Sequence, residues 1–223
     1  MSIPLKLNLS LGANGWQHSH WMDDFYPDDL PEDWRLTYYS NEFNSILLPV
    51  SCWQSESEPD CDDWLDNVHE EFEFFVECRG DMFEHVSREV LVGCLQALQP
   101  QLSGLVFLDN KQNMSEQVHG QFIELFKQVD VAVFSTNPSL FSAQREIQLK
   151  SIWQQAQLQG SSFAFIENDL TDLRAARVIV DDFVNSLADA TETIEKATLI
   201  VSHAQLQPQN LSKFRQLIEV MGY

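Results

Sequence analysis

Hydrophobic positions fall along this chain in short bursts separated by longer amphipathic stretches. Eight bursts have strand length: "LKLNLSL" (5–11), "NSILLPVS" (44–51), "FEFFVEC" (72–78), "LSGLVFL" (102–108), "VDVAVFS" (129–135), "SSFAFIE" (161–167), "RVIVDD" (177–182) and "TLIVSH" (198–203). Each is rich in Val, Ile, Leu or Phe, and most end in a polar residue or turn former. Between them the apolar residues recur at helical spacing. "PEDWRLTYYSNEF" (31–43) starts with Pro31 and acids, which favour a helix N-terminus. "DCDDWLDNVHEEF" (60–72) and "MFEHVSREVLVGCLQAL" (82–98) follow, then "SEQVHGQFIELFKQ" (115–128) with Ser115 as cap. "SLFSAQREIQLKSIWQQAQLQG" (139–160) ends on a glycine, as helices often do. A short piece at "DLTDLRAA" (169–176), then "VNSLADATETIEKA" (184–197) and "QNLSKFRQLIEVMG" (209–222), complete the set.

Strand alternating with helix eight times predicts an α/β protein, a compact (β/α)8 TIM barrel forming a single domain over residues 1–223. The competing architecture is an open doubly wound sheet. That fold usually carries G-x-G-x-x-G after its first strand, and "GANG" (12–15) does not fit it. No repeat is visible beyond the alternation itself, and "SESEPDCDD" (55–63) is the one loop-like acidic run.

Charge narrows the partners. The chain of 223 residues has 34 Asp and Glu against 13 Lys and Arg, a net charge of −21. The basic residues are scattered singly, so the surface repels phosphate backbones, and duplex nucleic acid is not expected as a partner. A basic protein surface would be attracted. Cys52, Cys61, Cys78 and Cys94 form no C-x-x-C motif and read as reduced thiols, with Cys78 and Cys94 in the core. "MSIPLKLNLSLGANG" has neither a basic leader nor a long apolar run, and no stretch reaches the roughly 18 apolar residues of a membrane span. A cytoplasmic protein without membrane attachment is the expectation.

In a (β/α)8 barrel the chemistry sits at the carboxyl ends of the strands. The loop "GANGWQHSHW" after the first strand would then face a ligand, with Gly12 and Gly15 supplying turn geometry and Trp16 and Trp21 apolar area. Other strand ends contribute Asn14, His18 and His20; Glu77 and Arg79; Asp109 and Asn110; Ser135 and Asn137; Glu167 and Asp169; Asp181 and Asp182; and His203. Each has an ordinary explanation too. Glu77 and Arg79 share a strand face and would form an internal ion pair, Asp169 with Thr171 and Asp172 would cap a helix, and Asp181-Asp182 would end a strand. Trp34, Tyr38 and Trp64 would pack on strands. Cys52 has no His-Asp partner in sequence, and G-x-S-x-G and Walker motifs are absent.

Gly12, Gly15-Trp16, Trp21, Phe25-Tyr26-Pro27, Leu30-Pro31, Trp34, Tyr38-Tyr39 and Phe43 resemble the N-terminal signature of the YecE-like family, labelled domain of unknown function seventy-two. That signature reads G-T-S-G-W-x-Y-x-x-W, then F-Y-P, L-P, Y-Y and F, and the spacing agrees without a gap from Gly12 to Pro27. The resemblance implies a TIM barrel of unsettled activity, sometimes compared with metal-dependent endonuclease barrels. This chain departs from the family at the strand ends. Ile46-Leu47-Leu48-Pro49 replaces V-E-x-N, Glu77 stands at a family lysine, and Ser202-His203 stands at paired asparagines.

The expected function is binding of a small polar ligand or a protein partner at the carboxyl face, through Asn14, Trp16, His18, His20, Trp21 and Arg79. The alternative is a metal-assisted hydrolase or lyase acting on a small polar or phosphate-containing substrate. Its catalytic groups would be drawn from Glu77, Asp109, Glu167, Asp181 and His203, with His18 and His20 the candidate ligands of a divalent metal. No cofactor is otherwise predicted.

Overall fold

The computed structural model describes residues 7–22, 24–53, 59–108, 115–137, 148–154, 161–188 and 194–223. The chain divides into two compact units, Met1–Ile46 with Ile152–Tyr223, and Leu47–Ser151. β2 (Ser45–Leu48) crosses the point at which they divide.

The first unit is built on β1 (Asn8–Asn14), β7 (Phe163–Ile166) and β8 (Lys196–Val201). β8 lies between the other two and pairs with both in parallel, with Ala13 level with Val201 and Val201 level with Ile166. The strands are apolar along nearly their whole length because parallel strands are covered on both faces. Helices α1 (Arg35–Ser40), α6 (Leu173–Ala188) and α7 (Pro208–Met221) belong to this unit. α7 starts with Pro208 and closes on Gly222, the asymmetry that favours both ends of a helix.

β1 is fixed against the segment that leads into β2 by three local devices. The Tyr39 hydroxyl accepts from the Ala13 amide at 2.8 Å and donates to the Ser45 carbonyl at 2.9 Å. The Asn44 side chain accepts from the Leu11 amide at 2.9 Å. Gly12 lets the backbones approach, since a Cβ there would overlap the Ser45 carbonyl.

The second unit carries β3 (Glu73–Cys78), β4 (Leu102–Phe107), β5 (Val133–Ser135) and β6 (Leu149–Ser151), parallel and adjacent in that order. Its helices are α2 (Cys61–Asp66), α3 (Met82–His85), α4 (Arg88–Ala97) and α5 (Glu116–Gln128). The expected helix at 82–98 is broken at Val86 and Ser87, where the Ser87 hydroxyl accepts from the Val90 amide and starts α4 afresh. Ser115 caps α5 in the same way.

Five expectations need correction. The helix expected at 184–197 overlaps β8, to which Lys196 and Ala197 belong. "RVIVDD" (177–182) is not a strand but the middle of α6. Ala176, Ile179, Val180, Phe183 and Leu187 are among the residues α6 buries, and that 3.6-residue stripe outweighs the three-residue apolar run, leaving Val178 exposed. The expected helix at 139–160 contains β6 instead, because Leu149 to Ser151 pair with Val133 to Ser135; residues 139–147 and 155–160 lie outside the described set. Cys61 and Cys94 are not reduced thiols: they are joined as a disulfide with Cα atoms 5.4 Å apart, clipping α2 to α4, while Cys52 and Cys78 are free. Trp34, expected to pack on strands, is 62% exposed.

Candidate functional site

At the carboxyl edge of β1, β8 and β7 the parallel register brings three chain segments level. Asn14 follows Ala13, Ser202 follows Val201, and the Ser202 amide donates to the Ile166 carbonyl at 2.8 Å, placing Glu167 at the same height. The Asn14 side chain crosses to β8, its Nδ2 donating to the Ser202 hydroxyl at 3.1 Å. Its Oδ1 is buried and has no hydrogen-bond partner among the described residues. Leaving a buried acceptor unpaired costs about 1–3 kcal/mol, and Ser45 Oγ and Trp53 Nε1 are in the same state elsewhere in the chain.

The neighbouring groups keep polar capacity in reserve. His203 is exposed and accepts the Gln205 amide at Nδ1, 3.2 Å away, which assigns the ring's donor to Nε2. Asp169 accepts from both the amide and the hydroxyl of Thr171, and these bonds, with a smaller contribution from His203, hold its carboxyl below the usual range. Asn168 accepts the Leu170 amide at 2.8 Å, and Asn210 donates to the Asp169 carbonyl at 3.2 Å. Between them Leu170 is buried with φ 57°, a left-handed conformation that costs a side-chain-bearing residue about 1–2 kcal/mol. Strained backbone of this kind concentrates at functional sites.

The aromatic loop after β1 does different work. Gly15 has φ 82° and turns the chain out of the strand. Trp16 and Trp21 are buried, at 3% and 0% exposure, so neither presents a ring face to solvent. The Trp16 carbonyl accepts from the Tyr26 hydroxyl at 2.7 Å, and burial drives that phenol's pKa well above its usual range. The Trp21 indole and the Nε2 of His20 both meet the Leu206 carbonyl at 2.8 Å. His18 packs its ring 4.5 Å from that of Trp21. Burial, and then the nearby His20, lower its pKa, against bonds to the Gly15 and Asn14 backbone that raise it. The two imidazoles, 5.5 Å apart, thus have ring nitrogens turned to the backbone.

In the Leu47–Ser151 unit Glu77 ends β3 almost fully buried. Its Oε2 accepts from the Val50 amide, 3.2 Å away in the 3-10 turn Val50–Trp53. Burial raises its pKa, opposed by the Val50 bond and the Arg79 charge. The expected Glu77–Arg79 ion pair does not form: the Arg79 guanidinium pairs with Asp81 at 3.3 Å, leaving Glu77 to the amide. Burial, with Glu77 nearby, pushes the Cys52 thiol up to about 12 and makes it a poor nucleophile.

Asp181 is a second correction to the expected site. It lies within α6 rather than at a strand end, paired with Arg177 one turn earlier at 3.6 Å. Asp182 is exposed on the same helix. Asp109 and Asn110 lie outside the described residues. Among the described residues no three His, Cys, Asp or Glu side chains are grouped as a metal site would require. The set at Asn14, Ser202 and His203 combines residues far apart in sequence; His203 and Asn14 were visible as strand-end residues, whereas the Asn14–Ser202 bond required the register.

Solved structures identify the architecture as a (β/α)8 barrel. A DUF72 family protein from Thermotoga maritima superposes with a TM-score of 0.64 at 12% identity, over 95% of this chain and 99% of that one. A DUF72 family protein from Enterococcus faecalis gives 0.59 at 8% identity, over 95% of each chain. The 3-keto-D-glucoside 4-epimerase YcjR of E. coli gives 0.57 at 8% identity, over 96% of this chain and all of that one. The chain belongs to the family described as protein of unknown function DUF72, which matches residues 10–210. The N-terminal signature from Gly12 to Phe43 thus pointed to the right family. No curated protein matches the chain. No helix among the described residues is long and apolar enough to cross a membrane.

Proposed function

We propose that this DUF72 protein binds a small polar ligand at the carboxyl edge of β1, β8 and β7. The observation that carries the reading is the Asn14 side chain, anchored at Nδ2 by Ser202 while its buried Oδ1 has no partner among the described residues. A half-satisfied buried amide is retained at a cost, and a ligand hydroxyl or N–H would recover that cost on binding. The exposed His203 beside it and the strained Leu170 on the adjacent loop support the same location. The neighbouring epimerase fold, whose name records a sugar derivative as substrate, is compatible with a polar small molecule, although a shared fold does not carry function.

The metal-assisted alternative has less support. His18 and the Nε2 of His20 are bonded to backbone, and Asp181 sits on a helix. Thermal-shift screening of the purified chain against neutral sugars, amino acids, carboxylates and phosphates tests the proposal. The expected result is a stabilising compound whose effect is lost in Asn14→Ala. Stabilisation that is unchanged in Asn14→Ala and in Ser202→Ala would contradict it.

A further inference from the structure

We infer that the ligand is an uncharged polyhydroxylated molecule, a sugar or cyclitol, and not its phosphorylated counterpart; this rests on the binding site proposed for Asn14. The hydrogen-bonding groups around that site carry the distinction. Segments 14–21, 167–172 and 202–207 contain no Lys and no Arg, but they hold Glu167, Asp169 and Asp172. Arg174, the next cation along the chain, is exposed on the first turn of α6. A phosphate is normally met by guanidinium or ammonium groups, or by free amides at a helix N-terminus. At α6 two of those amides are already taken, since the Asp172 carboxylate accepts from Arg174 N at 2.8 Å and Ala175 N at 3.4 Å. A dianion brought here would find no Lys or Arg in these segments to replace its hydration, only the imidazoles of His18, His20 and His203, and would be repelled by the carboxylate of Glu167, level with Ser202.

Hydroxyl groups fit the same set of partners. A hydroxyl can donate to an acceptor such as Asn14 Oδ1 and can accept from a donor such as the Nε2–H of His203. The Ser202 oxygen accepts from Asn14, which directs its own proton elsewhere, toward a further acceptor. Glu167, exposed and level with Ser202, offers acceptor oxygens to an adjacent hydroxyl. A molecule with hydroxyls on neighbouring carbons supplies both donors and acceptors. Carboxylates and amides of this kind bind hydroxyls without asking for charge.

Isothermal titration of the full chain with methyl α-D-glucoside, myo-inositol, D-fructose, D-glucose 6-phosphate and inorganic phosphate tests the inference. Saturable binding of at least one neutral compound is expected, weakened about tenfold or more in Asn14→Ala, a loss equivalent to about 1.4 kcal/mol. Neither phosphate compound should bind or compete. Ser202→Ala repeats the test in case Asn14→Ala does not fold. Asn14-dependent binding of D-glucose 6-phosphate or phosphate, with no response to the neutral compounds, would overturn the inference while leaving the binding site intact. No Asn14- or Ser202-dependent binding of any of the five would overturn both.

Discussion

The ends of β1 and β3 solve the same problem in opposite ways. Each leaves a polar side chain where a parallel strand stops being covered. At β3 the Glu77 carboxyl is drawn inward and anchored to the Val50 amide, and the Arg79 guanidinium pairs with Asp81. At β1 the Asn14 amide is bonded at Nδ2, and its buried Oδ1 has no partner among the described residues. The first arrangement commits its polar group to structure, whereas the second leaves an acceptor that the proposed ligand would use. Residue type alone does not reveal this difference, which exists only in how each polar atom is bonded.

The largest effect is expected where β1 meets Ser45. Gly12→Ala forces a Cβ onto a backbone carbonyl, and the rigid neighbour cannot yield as a flexible side chain would. The variant should lose about 3 kcal/mol or more, read as failure to fold or as a collapsed denaturant midpoint. A near-normal midpoint would mean that the tight β1 frame holding Asn14 does not exist. Next comes the clip between α2 and α4 in the other unit. Cys61 and Cys94 are 33 residues apart, and chain entropy gives about 3–4 kcal/mol for a loop of that length. Cys61→Ala with Cys94→Ala should lower urea resistance by that amount. Thiol titration of the denatured wild-type chain should find two groups rather than four, provided it is prepared without reductant. A disulfide is retained in oxidising surroundings and kept open by cytosolic reductants, so four thiols in freshly lysed cells would mean that the clip is open there.

Glu77→Gln has a smaller effect with a defined sign. Because burial raises the folded-state pKa of Glu77, the folded protein binds a proton more tightly than the unfolded chain. Stability from this group is therefore full below the ordinary glutamate range, and it is lost as pH rises toward the raised folded value. Urea midpoints of the wild type should fall over that window more steeply than those of Glu77→Gln. Parallel curves would place Glu77 with the solvated acids and erase the contrast with Asn14. The smallest change is Asp181→Asn, which removes an exposed pair with Arg177 and should cost no more than about 0.5 kcal/mol. A large loss of ligand binding in that variant would return Asp181 to the site.

The fold was legible in the sequence to the extent that burial followed simple periods. Strands β1 to β5, β7 and β8 coincide broadly with apolar runs because parallel strands bury both faces. The exceptions each have a cause. "RVIVDD" mimics a strand locally, and only Ala176, Phe183 and Leu187 outside it reveal the helix. β6 is three residues long and half-exposed, so its pairing with β5, a long-range contact, decides its conformation against helical spacing. The disulfide left no spacing signal, since Cys61 and Cys94 meet only through the packing of α2 on α4. At the candidate site, chain position singled out Asn14, Glu77 and His203, but the burial of Trp16 and Trp21 was hidden. Their aromatic character suits a ligand platform and a core equally well. The bonding state of each polar atom exists only once the strands are in register.

The most direct measurement follows the Asn14 side-chain amide itself by two-dimensional ¹⁵N NMR, with its signals assigned by their absence in Asn14→Ala. During titration with methyl α-D-glucoside or myo-inositol, these signals should shift saturably while the Trp21 indole signal, tied to Leu206, stays in place. Ligand-induced shifts elsewhere in the spectrum with the Asn14 amide unmoved would contradict the assignment of Asn14 as the binding group.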